Sequence, residues 1–299
     1  LQVLKKLLLL GQGQIGSALA EDLSEFPVHR WTGDLDDLSR TEIARIAPDV
    51  IINAAGKTGL EWCERNAREA VRSNLEAPVR LYGRIREAAP EARFIHFSSG
   101  CVWDGPYRED GNAFTPDVPP TPACLYSWTK AAADAMLLDL DPAHIAILRP
   151  RQVYSSHRHP RNMLAKLQTY ASLIDTPNSV SSIEVIAKTV RYLLNAEASM
   201  VNSGASMVNP EGWTGVWNVY DRGTITPFEI GELLWNAGLR GRPERISKAA
   251  LDAFHKPKRV DTVLFDRRFE RAVQPEEVHT VLARTIAAWK ESPALVTHD

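Results

Sequence analysis

Tyr126 and Lys130 stand four residues apart in the run Tyr126-Ser127-Trp128-Thr129-Lys130. On a helix that spacing puts both side chains on one face. Reducing a ketone delivers hydride to carbon and leaves charge on oxygen, so the oxygen needs a proton donor. A free phenol, with a pKa of about 10, donates poorly until a nearby cation stabilises its anion. The Lys130 ammonium is such a cation, and Ser99, at the end of the apolar run 94–98, offers a second hydroxyl to the carbonyl oxygen. The same spacing also describes a surface Tyr and Lys, so the reading rests on the elements around it.

The strongest of these is Gly11-Gln12-Gly13-Gln14-Ile15-Gly16, which follows an apolar segment at 4–10 and opens a helical pattern at 15–23. The first glycine permits a tight turn, and the second lets the backbone approach a pyrophosphate. The third allows close helix packing, while the helix N-terminus offers N–H donors. Gly11, Gly13, Gln14, Ile15 and Gly16 are therefore candidate contacts to a nicotinamide dinucleotide. The next strand, 28–31, ends without the acid that would hold a ribose 2′-hydroxyl. Arg30 stands there and suits a 2′-phosphate, so NADPH is expected, while Asp34 lies close enough to leave NADH open.

Strands at 49–54, 93–98 and 145–149 alternate with helical stretches at 41–46 (capped by Thr41), 67–89 (kinked at Pro78) and 126–140. This rhythm predicts an α/β fold, a Rossmann-type doubly wound parallel sheet with a smaller C-terminal substrate lobe. The dinucleotide-binding domain is expected over 1–150, joined by parts of 180–235, and the substrate lobe mostly over 151–299. A Pro-rich loop at 104–124 interrupts the pattern, which loosens after Arg149 into a polar loop at 154–162 and an irregular one at 202–215. A late strand at 215–220 and a helix at 227–237 follow.

The net charge of −2 supplies no basic face for nucleic acid or an anionic membrane. No segment approaches the roughly 20 apolar residues that span a bilayer, and Leu7–Leu10 is too short for a signal peptide. Three irregularly spaced cysteines, Cys63, Cys101 and Cys124, argue against a disulfide framework and for a reducing cytoplasm. No carboxylate or cysteine gathers with His157 and His159, so no metal is expected.

The glycine fingerprint, Asn53-Ala54-Ala55-Gly56, Ser99 and Tyr126/Lys130 together resemble the short-chain dehydrogenase/reductases. The wide Ser99-to-Tyr126 separation is similar to the extended branch that acts on nucleotide sugars. DVIINAAGKT (49–58), SSGCVWDG (98–105) and ILRPRQVY (147–154) look most like the dTDP-4-dehydrorhamnose reductases. The resemblance implies reduction of a nucleotide-activated 4-keto-6-deoxyhexose, with Ser99 and Tyr126 on the keto oxygen and Lys130 on the cofactor ribose. It places Asp34 and Leu35 beside the adenine, and Ala54, Ala55, Gly56 and Thr58 beside the nicotinamide ribose. In the substrate lobe it implies roles for Arg151, Asn162, Lys258 and Arg259, the last two in a basic cluster facing the diphosphate. The wider superfamily often dimerises through helices matching 67–89 and 126–140, and the apolar content of the latter permits a homodimer.

The chain departs from the reductases at Ser99-Gly100-Cys101, where they usually carry Thr-Asp-Tyr. Gly100-Cys101 lacks the Asp-Glu pair of the dehydratases, which disfavours dehydration. A Cys here resembles GDP-fucose synthase and the plant epimerase/reductase that completes UDP-rhamnose. There it implies 3,5-epimerisation with Cys101 as base and His157 or Lys166 as its acid partner. Two readings of Cys101 stand: that base, or a small buried residue behind the strand. A further alternative is a non-catalytic NADP-binding regulatory subunit, like the beta subunit of methionine adenosyltransferase.

Overall fold

The computed structural model describes residues 4–105, 113–203 and 212–292. Parts of the expected loops at 104–124 and 202–215 lie outside these residues. In chain order the first half runs Leu7–Leu10 (β1), Gln14–Asp22 (α1), Val28–Trp31 (β2), Arg40–Ile46 (α2), Val50–Asn53 (β3), Leu60–Arg65 (α3), Ala67–Val71 (α4), Ala77–Ala88 (α5), Arg93–Phe97 (β4), Leu125–Leu140 (α6) and Ile145–Pro150 (β5). The second half follows with Val153–Tyr154 (β6), Met163–Thr169 (α7), Ser172–Ile174 (β7), Ser181–Ser182 (β8), Ile183–Ser203 (α8), Gly215–Val219 (β9), Pro227–Asn236 (α9), Glu244–Ile246 (β10), Lys248–Phe254 (α10), Arg267–Val273 (α11) and Val278–Glu291 (α12).

Six strands form one sheet in the order β2-β1-β3-β4-β5-β9. β1 pairs in parallel with β2 and with β3, and β3–β4 and β4–β5 are parallel too. All four leucines of β1 are buried, as in a strand covered on both faces. Strand order reverses at β1, whose last residue Leu10 is in register with Asn53 at the end of β3. Such a switch point opens a crevice at the carboxyl ends of the strands, which is where ligands bind in this architecture.

Two local expectations are corrected. Ser39, not Thr41, caps α2, its hydroxyl accepting the Glu42 N–H at 3.2 Å. The expected kink at Pro78 is a wide π turn at Arg72–Glu76, between α4 and α5. Proline has no N–H, and its ring collides with the carbonyl four residues back, here that of Asn74. Widening the preceding turn relieves both problems and leaves Asn74 buried inside it.

The chain divides into two compact units. One contains residues up to Val102, Pro122–Arg149 and Ala187–Trp217; the other contains Trp103–Thr121, Pro150–Ile186 and the chain from Asn218 onward. The core of the first packs Leu8, Leu10 and Ile51 with Leu81, Ile85 and Leu137. That of the second gathers Tyr154, Leu164 and Leu173 with Ile230, Leu282 and Trp289. α9 starts on a reciprocal cap in which Thr226 Oγ1 accepts from Glu229 N and the Glu229 carboxylate accepts from Thr226 N. No helix among the described residues is long and apolar enough to cross a membrane.

Candidate active site

The glycine turn sits at the switch point, packed against the end of β3. Gly11 has φ +100°, and a Cβ there would lie 2.7 Å from the Ala55 nitrogen and 2.8 Å from the Ala54 carbonyl carbon. A Cβ on Gly16 would lie 2.2 Å from the Gly11 oxygen. Gly13 caps α1 without any side-chain hydrogen bond, so no side chain occupies the first N–H groups of the helix. The Gln14 Nε2 beside them is buried with no partner. Open backbone donors, an unfilled side-chain donor and a turn too close for a side chain fit a pyrophosphate. Gly11→Ala adds a methyl group where backbone stands and forces alanine into positive φ. NADPH affinity is expected to fall by about tenfold or more, read by fluorescence titration beside an unchanged far-ultraviolet dichroism spectrum.

At the end of β2, Arg30 and Asp34 are both exposed. Asp34 accepts the Asp36 N–H at 2.9 Å and lies 3.6 Å from the Arg72 guanidinium. The Leu35 side chain is core, so this residue offers a ligand only its backbone. Asp36, which the sequence reading missed, is held by Arg80 and Arg72 at 2.9 and 3.1 Å. Its hydrogen bond from Arg80, joined by Arg72, keeps that carboxyl below the usual range.

α6 carries the chemical residues. Tyr126 lies in its first turn and Lys130 one turn further, and both are buried, as is Ser99 just past β4. The Ser99 hydroxyl is near enough to the Tyr126 phenol to favour its anion. Ser99 Oγ also accepts the Cys101 N–H at 3.1 Å, which fixes its direction. Lys130 Nζ donates to the Phe97 carbonyl at 2.7 Å. A Cβ on Gly56 would lie 3.6 Å from Lys130 Nζ, so the segment after β3 runs directly beside the ammonium. Asn74 holds that segment with both ends of its amide: Oδ1 accepts from Lys57 N at 2.8 Å, and Nδ2 donates to Lys57 O at 2.9 Å. Ala54, Ala55 and Gly56 are half-buried there, and Thr58 is exposed.

Burial raises the Tyr126 phenol well above its ordinary range; Cys101 adds to this and the nearby Ser99 hydroxyl opposes it. Burial also pushes Lys130 down to about 8, with Asp134 pulling the other way. A proton donor must be protonated, and Tyr126 is. The helpful form of Lys130 is the ammonium, which is present below its pKa and lost above it. kcat/KM for reduction is therefore expected to fall as pH rises through about 8, measured as a rate profile of NADPH oxidation.

Sequence reasoning missed three supports of this site. Asn53 Nδ2 meets His96 Nδ1 at 3.1 Å while Asn53 Oδ1 accepts the Ala55 N–H at 3.1 Å. That amide orientation requires a neutral His96 with its proton on Nε2, and burial indeed holds its pKa well below the ordinary value. Asn74 is the second support. The third is Asp134, one turn past Lys130 on α6, which accepts from Ser98 Oγ at 2.8 Å and Arg149 Nε at 2.9 Å. Asn53 and Asp134 are single polar residues in apolar stretches, and Asn74 is one polar residue among several, so none stands out in sequence.

The remaining candidates belong to the other compact unit. His157 is exposed, and its carbonyl accepts from Asn162 Nδ2 at 2.9 Å. Asn162 is fully buried and caps α7 by accepting from Leu164 N at 3.0 Å. Lys166 lies on the exposed side of α7. Arg151 is buried and donates to Asn178 Oδ1 at 2.6 Å and to the Val260 carbonyl. Lys258 pairs with Asp104 at 2.6 Å, and an Arg259 guanidinium nitrogen lies 3.5 Å from His255 Nε2. Among the described residues no group of His, Cys, Asp and Glu is arranged to hold a metal.

A parallel sheet with a glycine turn at its switch point, joined to a buried Ser–Tyr–Lys set, defines an extended short-chain dehydrogenase/reductase. The chain belongs to the NAD dependent epimerase/dehydratase family, whose model matches residues 7–175, more than half of its length. A trifunctional UDP-glucose 4,6-dehydratase/UDP-4-keto-6-deoxy-D-glucose 3,5-epimerase/UDP-4-keto-L-rhamnose-reductase of Arabidopsis thaliana is 28% identical over 76% of this chain and 33% of its own length. A bifunctional dTDP-4-dehydrorhamnose 3,5-epimerase/dTDP-4-dehydrorhamnose reductase of the same plant is 28% identical over 64% of this chain and 60% of its own. The chain thus spans about a third of the first relative and under two thirds of the second. The fold is shared with a UDP-rhamnose synthase from Acanthamoeba polyphaga mimivirus (TM-score 0.79, 20% identity, 96% of this chain and 100% of that one). It is shared equally with a dTDP-4-dehydrorhamnose reductase from Bacillus anthracis solved with NADP (TM-score 0.79, 16% identity, 95% and 99%).

Proposed function

We propose that the protein reduces a nucleotide-activated 4-keto-6-deoxyhexose with NADPH, and that it also epimerises the sugar at C3 and C5. The buried Ser99, Tyr126 and Lys130, the last two one helical turn apart on α6, carry this reading. The reductase and epimerase activities named for the plant relatives support the substrate class. NADPH supplies the hydride. Gly11, Gly13, Gln14, Ile15 and Gly16 hold its pyrophosphate, Arg30 its 2′-phosphate, and Asp34 and Leu35 its adenine. Ala54, Ala55, Gly56 and Thr58 form the wall beside the nicotinamide ribose. Ser99 and Tyr126 grip the keto oxygen. The phenol gives up its proton as charge builds there, and the Lys130 ammonium steadies the resulting phenolate while holding the ribose.

For epimerisation, the 4-ketone acidifies the neighbouring C–H bonds. Cys101 removes the proton as a thiolate, and His157 or Lys166 returns one to the opposite face. Lys258 exchanges Asp104 for the substrate diphosphate with Arg259 beside it, while Arg151 and Asn162 keep the walls of the pocket in place. Residues 1–150, joined by parts of 180–235, act as the dinucleotide-binding domain and 151–299 mostly as the substrate lobe. The exposed Trp128, Met136 and Leu140 on α6 support a homodimer, and the cysteine usage supports a cytoplasmic site of action.

The test offers dTDP-, UDP- and GDP-4-keto-6-deoxyhexoses with NADPH in D2O. Oxidation of NADPH with deuterium at C3 and C5 supports both activities. Reduction without solvent label leaves a plain reductase. NADPH binding without turnover of any sugar overturns the enzyme reading in favour of a regulatory NADP-binding subunit.

A further inference from the structure

All three cysteines of the chain, far apart in sequence, converge on one residue. Cys63 and Tyr126 are buried in a single cluster with Ala70, and Cys101 and Cys124 both pack against that cluster. The three thiols also all contribute to raising the Tyr126 pKa, as neighbours do. Cys101 stands two residues after Ser99, and Cys124 two residues before Tyr126. The two half-buried thiols therefore approach Tyr126 from the segments that carry Ser99 and the start of α6.

The thiols differ in access. Cys63 is fully buried, donates to the Lys57 carbonyl at 3.7 Å and is held up to about 11 by burial, so it is a packed, protonated group. Cys124 caps α6 without using its sulfur for the cap, and that sulfur lies 3.3 Å from Ser127 Oγ. Nothing in the proposed reduction uses Cys124.

We propose that Cys101 and Cys124 form a reversible oxidation site whose disulfide switches the active site off. The inference rests on the catalytic reading of Tyr126 given above. A peroxide is the oxidant. The Cys101 thiolate attacks one peroxide oxygen, the O–O bond breaks, and with a proton taken up Cys101 becomes a sulfenic acid and one water leaves. The Cys124 sulfur then attacks the Cys101 sulfur, its proton goes to the departing hydroxyl, and a second water leaves with the S–S bond formed. Two thiols lose two electrons and peroxide gains them. The crosslink ties the turn after Ser99 to the start of α6, pulling Ser99 and Tyr126 out of donor geometry, and it consumes the proposed epimerisation base. A small dithiol reverses it.

The experiment treats the full-length protein with hydrogen peroxide at low millimolar concentration, then measures intact mass, mapped peptides and turnover. The expected result is a 2 Da loss in a Cys101–Cys124 linked peptide (two hydrogens), with reduction and epimerisation lost together and restored by dithiothreitol. Cys124→Ser keeps a polar cap residue and is expected to reduce sugar normally, lose the linked peptide and keep its reductase turnover through a brief peroxide exposure. Linkage through Cys63, or absence of any linked peptide, overturns the proposal. So does equal peroxide sensitivity of reduction in Cys124→Ser. The mass reading needs no substrate, so a failure of the switch is distinguishable from a failure of the enzymatic reading.

Discussion

Tyr126→Phe is expected to lower kcat for 4-keto sugar reduction by about 10²–10⁴-fold, the usual contribution of a positioned acid. Binding of NADPH should change little, because the phenyl ring keeps the packing against Cys63 and Ala70 and no pyrophosphate contact is touched. The size of the effect follows from the surroundings. Ser99 Oγ accepts the Cys101 N–H and keeps its own O–H to donate, so on the proposed reading it orients the substrate oxygen, while an alcohol is too weak an acid to give the proton up. Burial keeps the phenol protonated, and on the proposed reading the Lys130 ammonium, one helical turn on, stabilises the anion left behind. Ser99→Ala should therefore cost less in kcat than Tyr126→Phe. Steady-state NADPH oxidation with both variants checks the order, and a Tyr126→Phe enzyme retaining turnover within tenfold of the parent removes Tyr126 from the chemistry.

Much of the nucleotide-binding half is legible because its signals are local. β2 falls at the short strand expected over 28–31, and the glycine turn lies between β1 and α1 as expected. Spacing alone puts Tyr126 and Lys130 on one helix. In the second half β9 and α9 fall at the expected 215–220 and 227–237, but the rest reads poorly for a physical reason: the other helices are short or begin without an obvious break. α8 starts directly after β8 with Ser182 Oγ accepting from Val185 N at 3.0 Å, so the cap is hidden at the end of a strand. The apolar spacing of Ile186, Val190 and Leu193 that follows was there to be read. The convergence of Cys63, Cys101 and Cys124 has no counterpart in sequence, since it depends on α3, the turn after β4 and the start of α6 meeting around Tyr126. Likewise a lone Asn74 or His96 looks like noise until the π turn and the β3–β4 register bring each to its partner.

Asp134→Ala is expected to destabilise the protein by about 3–5 kcal/mol, because it removes the carboxylate paired with the buried Arg149 guanidinium. Both side chains are almost completely enclosed, 4% and 2% exposed, and joined at 2.9 Å. The loss of the carboxylate therefore weakens the compensation of a charge held away from water, and Ser98 loses its acceptor as well. Removing both charges is a different matter. Asp134→Leu with Arg149→Met exchanges two desolvated ions for apolar volume, a change that is often neutral or stabilising. Urea midpoints of the single and double variants test this, and a double variant no better than Asp134→Ala refutes the ion-pair account. The same residue also acts on the chemistry, since the Asp134 charge holds up the Lys130 pKa against burial. Asp134→Asn, which keeps the shape and removes the charge, should move the alkaline limb of kcat/KM to lower pH. An unmoved limb would mean that Lys130 does not set it. Stability and rate thus respond to Asp134 through different partners, Arg149 beneath the helix and Lys130 one turn before it.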